Sequence, residues 1–461
     1  MPATDPSLWS TTEQVAAICQ GDLGSVELLD AQLARIERID GDVNAVCTLS
    51  IEAARARAIA ADEATARGTS WGPLHGVPIT IKDAIATAGI RSTGGSRQLL
   101  DNIPSVDAPV VATLKEAGAI VFGKTNVPLW SGDFQTFNEM FGTTNNPWDL
   151  SRVPGGSSGG AAAAVACGMT SFEIGTDIGG SVRVPAAFCG VYGHKPSFGV
   201  IPTLGYIDEP NGGVTESDVN VFGPITRSAD DLALLVSLLA GPTADRAVGW
   251  RLDLPRPDVS DLRSLRVATW FDEPATAMDA EMIAVLDGVA DQLVAAGVAV
   301  DRAARPGIDF TEAGKQGGWL IGSAIGVSDG DRSASHTDWL FVDRERARRR
   351  VRWAEFFEHI DVLLCPITAT PAFAHQQEGT WDTRDFVVNG VTVPYLVLDE
   401  WPAIIGSVYL PSTSAPVGRT STGLPVGVQV VSPFLQDYRS ITVARLLTDL
   451  VGGYTVPPIA A

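Results

Sequence analysis

Apolar positions recur along this chain with two periods. Between residues 11 and 39 they fall at helical spacing, with Val15 and Ile18 on one face, then Val26, Leu29, Leu33 and Ile36. Thr11 or Thr12 is placed to cap the first helix, Gly21 to end it and Ser25 to cap the second. The alanine- and arginine-rich stretch 50–67 reads as a third helix. Short apolar runs at 77–81, 119–122, 171–174, 265–270 and 361–365 predict strands, separated by helical stretches such as 107–117 and 228–240. Ala161 to Ala166 carries no polar side chain, so a helix there must be buried all round. Strands alternating with helices predict an α/β layered fold around a largely parallel, buried sheet.

Composition narrows the function classes. The 461 residues are 45% hydrophobic and 19% charged, ordinary for a chain with a substantial core. Length alone suggests about three domains, but large α/β enzymes often run as one. The proline-bearing stretch from Asp253 to Asp261 reads as a surface connector and not as a boundary. A net charge of −21 repels phosphate, which argues against nucleic acid and anionic membrane surfaces as partners. The basic run from Arg344 to Arg352 reads as a helix with a solvated face. Five scattered cysteines without a CxxC pair disfavour a disulfide framework or a zinc site and point to a reducing cytoplasm. The polar N-terminus lacks the pattern of a signal peptide, and no apolar run reaches the length of a membrane span.

Two glycine-bracketed serines carry the candidate chemistry. Ser157 sits in Gly155-Gly-Ser-Ser-Gly-Gly160, and Ser181 follows the glycine pair of Gly175-Thr-Asp-Ile-Gly-Gly-Ser181. Glycine pairs let backbone N–H groups converge on a ligand, so a serine in such a turn is a candidate nucleophile beside an oxyanion hole. A base is needed, and Lys82 ends the apolar run 77–81. Only five of the 33 basic residues are lysines, and burial at a strand end lowers a lysine pKa toward that of a useful base. The five histidines show no metal-ligand spacing, and the 155–160 turn lacks the Lys-Ser/Thr of a phosphate loop; no metal or cofactor is expected. Cys189 near His194 reads as a buried, inert thiol.

Taken together these segments resemble the amidase signature family. Gly76-Val-Pro-Ile-Thr-Ile-Lys82-Asp, Gly155-Gly-Ser-Ser-Gly-Gly160 and Gly175-Thr-Asp-Ile-Gly-Gly-Ser-Val-Arg-Val-Pro-Ala186 follow its pattern in order. Gly123-Lys-Thr-Asn-Val-Pro128, Phe188-Cys-Gly-Val-Tyr-Gly-His-Lys-Pro-Ser197, Gly223-Pro-Ile-Thr-Arg-Ser228 and Gly423-Leu-Pro-Val-Gly-Val-Gln429 extend the likeness over about residues 10 to 450. The resemblance implies one α/β/α sandwich domain over 1–461, with a mixed, mostly parallel sheet of about eleven strands. Within it, 1–70 would form an N-terminal helical layer, 71–240 the catalytic core, and 241–461 the remaining sheet and pocket elements. It further implies Ser181 as nucleophile, Ser157 as bridging serine behind a cis Gly156–Ser157 peptide, and Lys82 as base. The amides of Ile178, Gly179, Gly180 and Ser181 are the expected oxyanion hole, with Ser158, Asp177 and Arg183 in support. Asp177 reads as an acceptor for backbone amides, and Arg183 either positions substrate or pairs with a carboxylate.

The expected function is hydrolysis of a neutral amide, with aryl amide, carbamate and ester all open, since acyl-enzyme chemistry serves each. The alternative is the amidase-like subunit of a tRNA-dependent amidotransferase, which takes ammonia from glutamine. Val184 stands where that subunit usually carries glutamine, and Ile201-Pro-Thr-Leu-Gly-Tyr206 replaces its serine-rich stretch. Pro128-Leu-Trp130 departs from the frequent Pro-Glu-Phe, so Trp130, Phe134 and Tyr206 are candidate walls of an apolar pocket, with core packing as the other reading for each. The expected partner is a small-molecule amide or carbamate, with a homodimer left open.

Overall fold

Ser10 accepts from the Glu13 amide while the Glu13 side chain reaches back to the Ser10 amide, so helix Thr11–Gln20 starts on a capping box. It ends at Gly21 in the left-handed conformation. Thr11 and Thr12, expected as caps, lie just inside, and their N–H groups donate to the Asp231 carboxylate at 2.8 and 2.9 Å. That contact ties the N-terminal layer, continued by helices Ser25–Val43 and Ile51–Ala66, to helix Ala229–Leu239. The second helix is capped at Gly24, one residue before the expected Ser25. This computed structural model describes residues 5–329 and 334–461.

An eight-stranded sheet forms the centre. From edge to edge its strands are Ala299–Asp301, Arg266–Thr269, Val362–Pro366, Pro425–Val431, Ser412–Arg419, Tyr192–Lys195, Val221–Thr226 and Glu173–Asp177. The large mixed sheet was expected; its strand directions were not. Among these pairings only the first two are parallel, and every one from Val362–Pro366 onward is antiparallel. Strand–helix alternation predicts parallel crossovers, but it does not register the direct hairpin between Ser412–Arg419 and Pro425–Val431. A separate sheet of three strands, Val46–Leu49, Ile120–Thr125 and Pro78–Lys82, lays its Pro78–Lys82 edge against Glu173–Asp177. The strands of this large mixed architecture thus fall in hydrogen-bonded sheets of eight and three, beside two two-stranded pairs among the described residues. Helices cover these sheets, in keeping with the expected sandwich.

The helix Gly159–Ala166 is buried at every position, as its composition demands. It runs so close to the small sheet that a Cβ on Gly160 would lie 2.5 Å from the Asn126 nitrogen and 2.8 Å from the Ala45 oxygen. Those two atoms are themselves hydrogen-bonded at 2.8 Å and cannot easily part. Gly160→Ala should therefore cost about 1–3 kcal/mol through overpacking, although alanine favours helix. An unchanged urea midpoint for this variant would contradict that close approach.

Candidate active site

Lys82 ends a strand whose five residues are all buried, and it is itself without solvent exposure. Its Nζ lies 2.7 Å from Ser157 Oγ and 2.7 Å from Thr176 Oγ1. Burial disfavours the ammonium and pulls its pKa down to about 7, against the opposing charges of Asp177 and Glu173. Glu173 faces the same interior, where its Oε1 accepts from Thr80 and Thr125 hydroxyls at 2.6 and 3.0 Å. Burial in turn lifts its carboxyl to about 7, so the cluster around Lys82 carries less charge than its residue types suggest.

Ser157 is presented by the turn before helix Gly159–Ala166, and the Gly156–Ser157 peptide is cis. Gly156 is required by crowding. A Cβ there would meet the backbone oxygens of Asp133 and Gln135 at 2.4 and 2.5 Å. Ser158 bridges neighbouring segments: its N–H donates to the Ser181 carbonyl at 3.2 Å, and its Oγ accepts from the Thr176 amide at 3.3 Å. Ser158 thus joins the two serine turns.

Ser181 lies between strand Glu173–Asp177 and helix Arg183–Cys189, and it is 7% exposed. Asp177 organises this turn. Its carboxylate accepts from the amides of Gly180, Val182 and Arg183 at 2.9, 3.1 and 3.3 Å, and from the Arg183 guanidinium at 2.8 and 3.0 Å. Burial pushes the Asp177 pKa upward, yet the Arg183 charge and these donors outweigh it and hold the group at about 2. Arg183 also donates to the Pro402 carbonyl at 3.1 Å and to Gln429 Oε1 at 2.7 Å. All its reach is inward, so of the two roles considered for Arg183 the ion pair is the one formed.

The Gly180 amide is committed to Asp177, which removes it from the expected oxyanion set. Among the described residues the amides of Ile178, Gly179 and Ser181 have no hydrogen-bond acceptor, and these three residues line a cavity of about 650 Å³. Phe134 lines it as expected. Trp130 and Tyr206 do not: they pack against the core, Tyr206 with its ring 6.4 Å from that of Phe222 and its hydroxyl toward the Trp130 carbonyl. The reason is local, for Trp130 takes a positive φ of 51° that turns it back toward Gly94. The opposite wall comes from helices Phe310–Asp329 and Val397–Gly406, both of which fall within 241–461. Among the described residues no group of three or more His, Cys, Asp or Glu side chains could hold a metal ion.

A family model described as Amidase matches residues 27–315 and 323–441. The chain belongs to the amidase signature family. It is 33% identical to a glutamyl-tRNA(Gln) amidotransferase subunit of Moorella thermoacetica, over 90% of this chain and 91% of that protein. Among solved structures it is similar to an amidase at 27% identity, covering 96% of this chain and all of that one with a TM-score of 0.81. A 6-aminohexanoate cyclic dimer hydrolase superposes equally well, with a TM-score of 0.81 at 25% identity over 99% and 100% of the two chains.

Against this family background, sequence reasoning missed Thr176, the second partner of Lys82, although it stands inside the Gly175-Thr-Asp motif. Lys124 was noted only as part of a motif; it is buried and donates to the Ile85 carbonyl at 2.5 Å and to Thr87 at 2.9 Å. Cys189 is buried with its thiol pushed up by desolvation, as an inert residue should be. The lowered pKa of Lys82 generates a prediction. If the neutral amine is the working form, kcat/KM should fall about tenfold per unit as pH drops below about 7 and stay level above it. An acidic optimum with loss of activity above neutrality would point to a carboxylate or histidine base instead.

Proposed function

We propose that the protein is a self-contained hydrolase of neutral amides, with Ser181 as nucleophile, Ser157 as relay and Lys82 as general base. The observation that carries this reading is the 2.7 Å contact of a buried, pKa-lowered Lys82 with Ser157, in a site where Ser181 opens onto a largely apolar cavity. Neutral Lys82 donates one N–H to Thr176, which aims its lone pair at the Ser157 hydroxyl. Ser181 Oγ attacks the amide carbon; its proton passes to Ser157, whose own proton passes to Lys82. The oxyanion rests on the amides of Ile178, Gly179 and Ser181. The C–N bond then breaks as the proton returns through Ser157 to the leaving nitrogen. Water attacks the acyl-enzyme by the same relay, releasing the acid and restoring Ser181. Carbamates and esters fit the same sequence of steps.

Phe134, Phe310, Ile321 and Val397 among the cavity walls favour an apolar, flat or extended substituent over a small dicarboxylic monoamide. The amidotransferase reading has its own support in the name borne by the Moorella relative and in Lys315, a cation on the cavity wall. Arg183 lends it none, because Asp177 and Gln429 occupy it. Five free thiols are in keeping with a reducing compartment, and no helix among the described residues is long and apolar enough to cross a membrane.

The test is kcat/KM for a nitroanilide of an apolar acid and for an aryl carbamate, beside that for glutamine. The aryl substrates should be turned over faster, and Ser181→Ala should lose on the order of 10⁴-fold or more while remaining folded. Faster hydrolysis of glutamine would replace this reading with the amidotransferase one.

A further inference from the structure

Helix Phe310–Asp329 contains five glycines, each less favourable to helix than alanine, so their presence asks for a cause. Gly317 has one in packing: a Cβ there would lie 3.0 Å from the Ala403 Cβ and 3.1 Å from its carbonyl oxygen. Gly314, Gly318 and Gly322 have no such cause. A Cβ on Gly314 or Gly322 would meet nothing within 4 Å, and one on Gly318 only Asp399 Oδ2 at 3.7 Å. Spaced four residues apart, these three share a helix face, and all line the cavity that holds Ser181. Phe310, Ile321 and Ile325 line it from the same helix. At about 1.5 Å per residue, the face from Phe310 to Ile325 extends for about 22 Å.

A second, independent feature points to an occupant. Asp399 Oδ1 is buried and has no hydrogen-bond partner among the described residues. A Cβ on Gly179 would lie 2.8 Å from that oxygen and 3.4 Å from Ile321 Cδ1, so the unpartnered acceptor sits between the Ser181 turn and the glycine face. A buried acceptor without a donor is costly, and a ligand N–H is what would satisfy it.

We propose that Gly314, Gly318 and Gly322 form a substrate trench, in which an extended, predominantly apolar amide lies along the helix with an N–H donated to Asp399. The inference rests on the amidase reading and deepens it. The volume left by the missing side chains sets the longest chain the site accepts. Lys315 stands on the same cavity wall.

Binding measured on Ser181→Ala protein separates the trench from the catalytic reading, because turnover plays no part in it. Calorimetric Kd values for hexanamide and decanamide should favour the longer amide at least tenfold. The pair Gly314→Leu and Gly322→Leu, built together, should abolish that gain. The corresponding alanine pair should reduce it by a smaller factor, and it serves if the leucine pair does not fold. Equal affinity for the two amides, or a gain that survives in the folded variants, overturns the trench and leaves the amidase reading standing. A wild-type protein that hydrolyses no amide, yet shows the length preference and its loss, would overturn the amidase reading alone.

Discussion

Asp177 and Arg183 meet where neither is exposed to solvent, and the geometry of the Ser181 turn follows from their pairing. A charge removed from water needs a partner and a full set of donors or acceptors. Asp177 obtains them from three backbone amides and the guanidinium, which bends the chain at Ile178–Ser181 into the one path those donors allow. Arg183 extends the constraint across the large sheet to Gln429, which also accepts from Ser412 at 3.0 Å, and to the carbonyl of Pro402 beside the cavity wall. Breaking such a pair by removing one member costs about 3–5 kcal/mol, because the other charge stays buried. Ser181, the proposed nucleophile, is therefore positioned by electrostatics at its back, while its front faces the cavity.

The same desolvation acts in opposite senses a few residues away. Lys82 has carboxylates nearby but none in direct contact, so burial prevails and its pKa falls to about 7. Asp177 has a guanidinium in direct contact, so pairing prevails and its pKa falls to about 2. Placing a cation without a close counter-ion beside an anion with one is how a site obtains a neutral base within reach of a fixed charge.

Much of this was legible from residues 76 to 186, because motifs with glycine pairs, a strand-end lysine and spaced serines each impose a local geometry. Lys82 and Ser157 are brought together, and Ser181 opens onto the cavity, as those motifs imply. Sequence failed where position depends on how distant segments meet. Trp130 has the composition of a pocket wall, but a positive φ sends it elsewhere. The antiparallel half of the sheet arises from pairings between segments as far apart as Tyr192–Lys195 and Ser412–Arg419, which no local period encodes. Asp399 carried no signal at all, since an aspartate in an apolar helix becomes telling only when its neighbours in space are known.

The segments that build this site divide along the chain. Lys82, Ser157 and Ser181 all precede residue 200, whereas helices Phe310–Asp329 and Val397–Gly406 form the facing wall. The Ser181 turn is locked by a buried charge pair that tolerates little change, and much of the wall is held by aromatic contacts such as Trp270 with Trp401 and Phe310 with Trp401. Such packing accepts volume-conserving exchange far more readily than a buried ion pair accepts loss of a partner. Selectivity is thus free to drift under selection while the chemistry stays fixed, and a fold arranged in this way can acquire new substrates without first surrendering its old reaction.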